Sequence, residues 1–226
     1  MDKKKQVKRI FDTIAYRYDL LNHLLSAGVD IYWRWRAIKL TRFTSDARLL
    51  DVACGTGDFA IEAARQGVKN ITGADLSIEM MKPFADKYPK IKGHCVQMAA
   101  EIPPFRNGSF TNITVAFGVR NFYDIPGAFE AFRNILTEGG KLTILEFRLP
   151  KNRLMKFAYE FYFNNILPLI GRLISKDQEA YKYLPESVNE FDKKVDLREL
   201  LKNAGYSDVK VHALTAGIVQ VVIGTK

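Results

Sequence analysis

Cysteine is scarce: the 226 residues contain two, Cys54 and Cys95. Both sit in apolar, strand-like stretches, so core thiols are expected rather than a disulfide. Histidine is nearly as rare. The three present, His23, His94 and His212, have no metal-ligand spacing, and no metal centre is expected. No apolar run approaches the ~20 residues that cross a bilayer. The greasiest stretch, Phe157 to Ile174, is broken by Asn164, Asn165, Pro168 and Arg172. Met1-Asp2-Lys3-Lys4-Lys5 leads into an amphipathic pattern rather than an apolar segment, so the expectation is a cytoplasmic protein without a secretory leader. Acidic residues are in deficit, 25 against 34 lysines and arginines, for a net charge of +9. That excess attracts nucleic acid or an anionic membrane surface. The bases are not interleaved with aromatics in an RNA-binding module, so nucleic acid is not expected. What is present, 47% hydrophobic and 26% charged residues, suits one globular domain with a full core.

One stretch organises the rest: Arg48-Leu49-Leu50-Asp51-Val52-Ala53-Cys54-Gly55-Thr56-Gly57-Asp58-Phe59. The run from Leu49 to Ala53 reads as a buried parallel strand. It breaks at the glycines and enters a helix at Asp58. Strand, glycine turn and helix hold a nucleotide-like ligand at the end of a parallel sheet, and Gly55 and Gly57 let the backbone approach it. The third glycine of a dinucleotide fingerprint is missing, since Ala60 stands there. Asp51, just before the turn, repels a pyrophosphate and suits a cation. A second strand, Asn70 to Asp75, ends in an acid that can accept both ribose hydroxyls. Asp51, Gly55, Gly57 and Asp75 together resemble the S-adenosylmethionine site of Rossmann-like methyltransferases. That cofactor carries a sulfonium and an ammonium and no phosphate. The plainer alternative is a glycine turn with Asp58 capping its helix in any doubly wound protein.

Before this stretch, Val7, Ile10, Phe11, Ile14 and Tyr18 recur at helical spacing, as do Leu20, Leu21, Leu24 and Leu25. These predict two helices joined near Tyr18-Asp19. A third, Ile31 to Phe43, carries Arg34, Arg36, Lys39 and Arg42. The bases form either a solvated face or part of a lid over the cofactor, with Arg17 and Tyr18 at its hinge. After Asp75 the pattern predicts a helix capped by Ser77, a strand from Ile91 to Gln97, and a strand from Thr111 to Phe117. It then predicts a helix from Pro126 to Leu136, a turn at Glu138-Gly139-Gly140, and a strand from Lys141 to Phe147. A helix from Leu197 to Asn203 precedes two strands, Val209 to Leu214 and Ile218 to Gly224, paired across Thr215-Ala216-Gly217. Leu149 to Asp192 is an aromatic-rich insertion beside Lys151, Arg153 and Lys156. It is either helical core or a greasy wall for an apolar substrate, its bases facing lipid headgroups.

Three segments carry a more specific likeness: Ala116-Phe117-Gly118-Val119-Arg120-Asn121, Phe11 through Asn22, and Tyr181-Lys182-Tyr183-Leu184-Pro185-Glu186-Ser187. Over essentially its whole length the chain resembles the ubiquinone/menaquinone biosynthesis C-methyltransferase family. The resemblance implies an α/β, Rossmann-like class I methyltransferase. Its seven-stranded, mostly parallel sheet would carry an N-terminal helical lid (1–45), a cofactor-binding half (46–148), a substrate-side insertion (149–192) and a C-terminal helix and hairpin (193–226). It implies methylation of a ring carbon of a prenylated hydroquinone, either demethylmenaquinol or a ubiquinol precursor. S-adenosyl-L-methionine would be consumed and S-adenosyl-L-homocysteine released. Thr56, Asp75, Leu76, Ala99 and Ala100 should line the cofactor, with Ala116 and Tyr18 nearby. The chain departs from the family at Ala99, usually Asp or Asn, which removes one polar contact to the adenine. It departs again at Ala116, usually Ser, and at its C-terminal run.

For a hydroquinone, loss of a phenolic proton (reference pKa about 10) drives electron density onto the ortho carbon. Arg120 is the candidate for stabilising the phenolate, directly or through water, and Asn121 for orienting the ring. The alternative is that both simply fix their loop. Tyr183, Glu186 and Phe161 are substrate-side candidates. Peripheral contact with an anionic membrane at its inner face is expected, and a homodimer is left open. Two rival readings remain: a methyltransferase for another small molecule or a protein, and an RNA-modifying protein.

Overall fold

Strand β1 (Arg48–Val52) is buried at every position after Arg48, which is why its sequence there is apolar but for Asp51 rather than alternating. In the computed structural model, which describes residues 3–166 and 178–226, β1 sits inside a seven-stranded sheet. The other strands are β2 (Asn70–Asp75), β3 (Cys95–Gln97), β4 (Phe110–Ala116), β5 (Leu136–Phe147), β6 (Ser207–Leu214) and β7 (Val219–Thr225). Their order is β3-β2-β1-β4-β5-β7-β6. The first five strands run parallel, in registers such as Asp51↔Gly73 and Asp51↔Thr114. β7 enters antiparallel between β5 and β6.

Helices cover both faces. On one lie α3 (Val29–Thr41), α4 (Asp58–Arg65) and α5 (Ile78–Lys87), which bury Trp33, Ile38, Phe59 and Phe84 with Leu49 and Leu145 of the sheet. On the other, α6 (Ile125–Ile135), the end of α8 (Gln178–Lys194) and α9 (Leu197–Asn203) bury Phe129, Phe132, Phe191 and Leu201 with Leu50, Ile113 and Ile144. Each fully buried Leu, Ile or Phe contributes about 1.5–3 kcal/mol. Between the sheet and the remaining surface lie α1 (Lys3–Ile14), α2 (Tyr18–Leu25) and α7 (Arg153–Phe161), the last continued by a π-helical turn at Tyr162–Ile166.

Several boundaries differ from the sequence reading for local reasons. The α1–α2 junction is a 3-10 turn at Ala15–Arg17, one turn earlier than Tyr18-Asp19. The third strand shrinks to Cys95–Gln97. Pro89–Ile91 forms a 3-10 turn, which buries Ile91, and Gly93 (φ 82) turns the chain back. Glu138-Gly139-Gly140 does not end a strand. It is an irregularity inside β5, where the pairing jumps from Phe110↔Leu136 to Asn112↔Lys141. The bases on α3 divide: Arg36, Lys39 and Arg42 are solvated, whereas Arg34 is buried. The part of the insertion from 167 to 177, with Leu167, Leu169, Ile170, Leu173 and Ile174, lies outside the described residues.

Candidate active site

An open cleft lies at the C-terminal ends of the parallel strands, where ligands bind in open α/β sheets. Its floor comes from the loop after β1 (Ala53, Gly55), the end of β2 (Asp75, Leu76), the segment after β3 (Met98 to Glu101) and the segment after β4 (Phe117, Gly118, Asn121). Val7 and Phe11 of α1 and Tyr18 of α2 close one side. The sequence assigned Tyr18, Gly55, Asp75, Leu76, Ala99, Ala100, Ala116 and Asn121 to a site, and all eight line this cleft.

The turn after β1 has no space for side chains. A Cβ on Gly57 (φ +83) would lie 2.0 Å from the Phe84 ring. Across the cleft, a Cβ on Gly118 would lie 2.6 Å from Ala53 Cβ, so the β1 and β4 loops can approach only with glycine there. Asp75 is fixed by backbone: Oδ2 accepts from Gly55 N–H and Oδ1 from Ser77 N–H, each at 2.8 Å. Each carboxylate oxygen has two lone pairs, so one remains on each for a diol. Burial pushes the Asp75 carboxyl up from the usual range, and backbone N–H groups of Ser77, Gly55 and Leu76 oppose that shift. Among the described lining residues the carboxylates are Asp75 and Glu101, and none is Lys or Arg. The cleft therefore suits a cationic ligand and disfavours a pyrophosphate.

Asp51 is placed differently from its sequence reading. It does not line the cleft but lies beneath the turn on the α3–α4 side, where Oδ1 accepts from Thr114 Oγ1 at 2.7 Å. Its Oδ2 is buried without a hydrogen bond. Burial, more than the nearby charge of Asp75, pushes its carboxyl up to about 7. Any attraction to a bound cation acts through space rather than by contact. Thr56 is also buried, and its hydroxyl donates to Asp19 of α2 instead of facing the cleft. Asp19 also takes Lys87 Nζ at 2.7 Å, and the Ser77 hydroxyl donates to Asp12 of α1. Two carboxylates of the N-terminal helices are thus strapped to the loops that form the floor.

Arg120 departs from expectation most clearly. It stands after β4 in a 3-10 turn, Val119–Asn121, but its guanidinium is directed inward and lines no part of the cleft. Nη1 meets Glu146 Oε1 at 2.7 Å and donates to Phe117 O at 2.5 Å, and the guanidinium lies 5.8 Å from the Phe147 ring centre. The Glu146 and Arg120 side chains are 0% and 5% exposed. The reason is Glu146 itself: an acid on a buried strand must have a partner, and Arg120 is within reach. Arg120 therefore ties the loop that carries Phe117, Gly118 and Asn121 to Glu146.

Of the substrate-side candidates, Phe161 and Glu186 do not line the cleft. Phe161 is 53% exposed, on an outward stripe of α7 shared with Leu154 and Phe157, whereas Tyr159 is the inward residue. Glu186 is exposed on α8, and the Tyr183 side chain lies outside the described residues. The sequence reading missed Val7, Phe11, Phe122 and Glu101. For Val7 and Phe11, helical spacing indicated a buried face without saying what covers it. His23, Asp30 and Asp58 bring ligand atoms within 4.8 Å of one another, but Arg34 pairs with both acids and already supplies the cation.

The sequence model described as the ubiE/COQ5 methyltransferase family matches residues 1–226. The chain is 41% identical over 236 residues to the ubiquinone/menaquinone biosynthesis C-methyltransferase UbiE of Geotalea uraniireducens, covering 100% of this chain and 98% of that protein. It is 38% identical over 235 residues to a demethylmenaquinone methyltransferase of Porphyromonas gingivalis, covering 99% and 94%. Among solved structures, an S-adenosylmethionine-dependent methyltransferase of Thermotoga maritima superposes with a TM-score of 0.68 at 19% identity, covering 96% and 99%. A phosphoethanolamine N-methyltransferase of Haemonchus contortus, solved with S-adenosylmethionine, gives 0.61 at 14% identity over 85% and 52%. The two solved structures share the fold, that of class I methyltransferases.

Proposed function

The chain belongs to the ubiE/COQ5 methyltransferase family, and from that premise we propose that it methylates a ring carbon of a prenylated hydroquinone using S-adenosylmethionine. The observation that carries this reading is the cleft: a carboxylate fixed at the end of β2, a loop that excludes side chains, and walls without a cation among the described residues. When bound, S-adenosylmethionine supplies a methyl group already activated on sulfur.

The residues of this chain then have separable roles. Asp75 takes the ribose diol with the lone pairs its backbone partners leave. Met98, Ala99 and Ala100 give an apolar slot for the base. Phe117, Gly118 and Asn121 border the side nearer β4, where a planar ring can be held against the methyl group. The catalytic advantage available is alignment: a nucleophile held in line converts an encounter into an intramolecular step. Asn121 is suited to hydrogen-bond a ring hydroxyl, and the Arg120–Glu146 pair keeps its turn in place. Val7, Phe11 and Tyr18 exclude water from the cationic centre.

Peripheral membrane contact belongs to the same reading. Leu154, Phe157 and Phe161 are 79%, 68% and 53% exposed along one stripe of α7, flanked by Lys151 and Arg153. Such a stripe lies flat at a headgroup boundary. Among the described residues no helix is long and apolar enough to cross a membrane.

The deciding experiment is a methyl-transfer assay on demethylated benzo- and naphthohydroquinones, with mass spectrometry locating the new methyl. Carbon methylation of either ring is the expected result. Methyl transfer only to an oxygen or nitrogen acceptor would refute the reading.

A further inference from the structure

The end of the cleft beside β3 is apolar except at one residue. Asp75 pairs with Gln97, and Met98 N–H donates to Asp75 O at 3.0 Å, so the chain leaving β3 passes directly beside the ribose-holding acid. It then makes a tight turn, with Ile102 N–H on Ala99 O at 3.2 Å. Met98, Ala99 and Ala100 offer no side-chain acceptor. Glu101 follows them and lines the cleft.

A ligand whose ribose lies at Asp75 has its two arms on opposite sides of β2. The sulfonium arm must face β1 and β4, because Phe117, Gly118 and Asn121 border the acceptor there. The base is left with the β3 side, where Glu101 stands. Glu101 is also held still. Its Oε1 accepts from Tyr123 N–H at 2.7 Å and Asp124 N–H at 3.3 Å, which ties the β3 segment to the entrance of α6. Oε2 takes no hydrogen bond from the described residues and is not sealed from solvent. A carboxylate with one oxygen clamped and the other open is an oriented acceptor. Adenine presents one exocyclic donor, its 6-amino group.

We propose that Glu101 is the acceptor that reads the 6-amino group of the cofactor's adenine. The inference rests on S-adenosylmethionine as the cofactor. It makes Glu101 a specificity residue, distinguishing adenosyl from other purine ligands, in a chain whose residue 99 is alanine.

The test is calorimetric and needs no turnover. S-adenosylhomocysteine and its 6-deamino analogue are titrated into the wild type, Glu101→Ala and Glu101→Gln. Hydrogen bonds to charged groups contribute enough that the wild type should bind the adenosyl form about ten- to a hundredfold tighter. Glu101→Ala should bind the two ligands within about twofold. Glu101→Gln keeps an oxygen for Tyr123 and Asp124 but turns an NH2 donor, not an acceptor, toward the base, so it should lose the preference as Glu101→Ala does, to within about twofold, with the loops still tied. If Glu101→Ala weakens both ligands by the same factor, Glu101 only ties two loops together and the proposal is wrong. An unchanged ratio in Glu101→Ala overturns it equally. Failure of the wild type to bind S-adenosylhomocysteine removes the cofactor reading itself, an outcome distinct from the other two.

Discussion

Replacing Arg120 with methionine separates a structural ion pair from a catalytic base or donor. The substitution leaves Glu146, 0% exposed, without the guanidinium 2.7 Å away. Breaking a buried pair from one side costs about 3–5 kcal/mol, because an uncompensated charge remains. For a chain of this length each kcal/mol lowers the melting temperature by ~2–4 °C, so a fall of roughly 6–20 °C is expected. Adding Glu146→Gln removes the stranded charge. The glutamine oxygen can still accept from Phe147 N–H, which Glu146 Oε1 takes at 3.0 Å, while the longer 3.4 Å contact of Oε2 with the residue 120 N–H is given up. The double variant should therefore be more stable than Arg120→Met alone, and cofactor affinity lost with the loop should return. Urea melts of the wild type, both singles and the double close a thermodynamic cycle, and calorimetry on the same four proteins follows the cleft. Additivity within about 0.5 kcal/mol would show that the two residues do not act as a pair. Full affinity and stability in Arg120→Met, with methyl transfer abolished, would return Arg120 to the chemical step and refute the structural reasoning.

Asp75→Ala should weaken S-adenosylhomocysteine binding about tenfold to a hundredfold, since a charge-assisted contact is lost; titration calorimetry measures it. Burial holds the Asp51 proton to about pH 7 in the folded chain, well above the usual carboxylate range of about 4. The folded state therefore binds more protons than the unfolded state between pH 4 and 7, and this group's contribution is present at low pH and lost as pH rises through that window. Asp51→Asn should flatten that slope in urea melts across pH 4–8, and an unchanged slope would count against the buried acid as its source. Thr56→Val releases Asp19 from the floor loop and should speed S-adenosylhomocysteine dissociation in stopped-flow displacement, with little change in melting temperature. Sedimentation with anionic vesicles should capture the protein and weaken as salt rises, because exposed charges are screened beyond about 8 Å at physiological ionic strength. Leu154→Ser with Phe157→Ser should reduce capture at every salt concentration.

The parallel core was legible because strands buried on both faces must be continuously apolar, and Leu49 to Val52 is nearly so. The cofactor end was legible because Gly57 and Gly118 occupy places where any side chain would collide. Two kinds of information were not in the pattern. Chain position put Arg120 at the strand end but could not say that a 3-10 turn would direct it inward. Glu146, already visible as an acid closing an apolar strand, was the available signal. Spacing likewise gave α7 an apolar stripe without its direction, and Phe161 proved to face outward. The same ambiguity hid Val7 and Phe11, whose stripe covers the cleft rather than ordinary core.

The place of β7 bears on how this chain is made. Val219–Thr225 comes last in sequence of the seven strands, yet it lies between β5 and β6 and hydrogen-bonds to both. Until it emerges from the ribosome, β5 has one open edge and β6 has no strand to pair with. A nascent or prematurely terminated product cut before residue 219 would present a row of unpaired backbone groups along Leu142 to Leu145, a template for pairing with another chain. The sheet thus closes only once β7 has been made, and copies cut before it carry an aggregation-prone edge that chaperones and proteases can recognise.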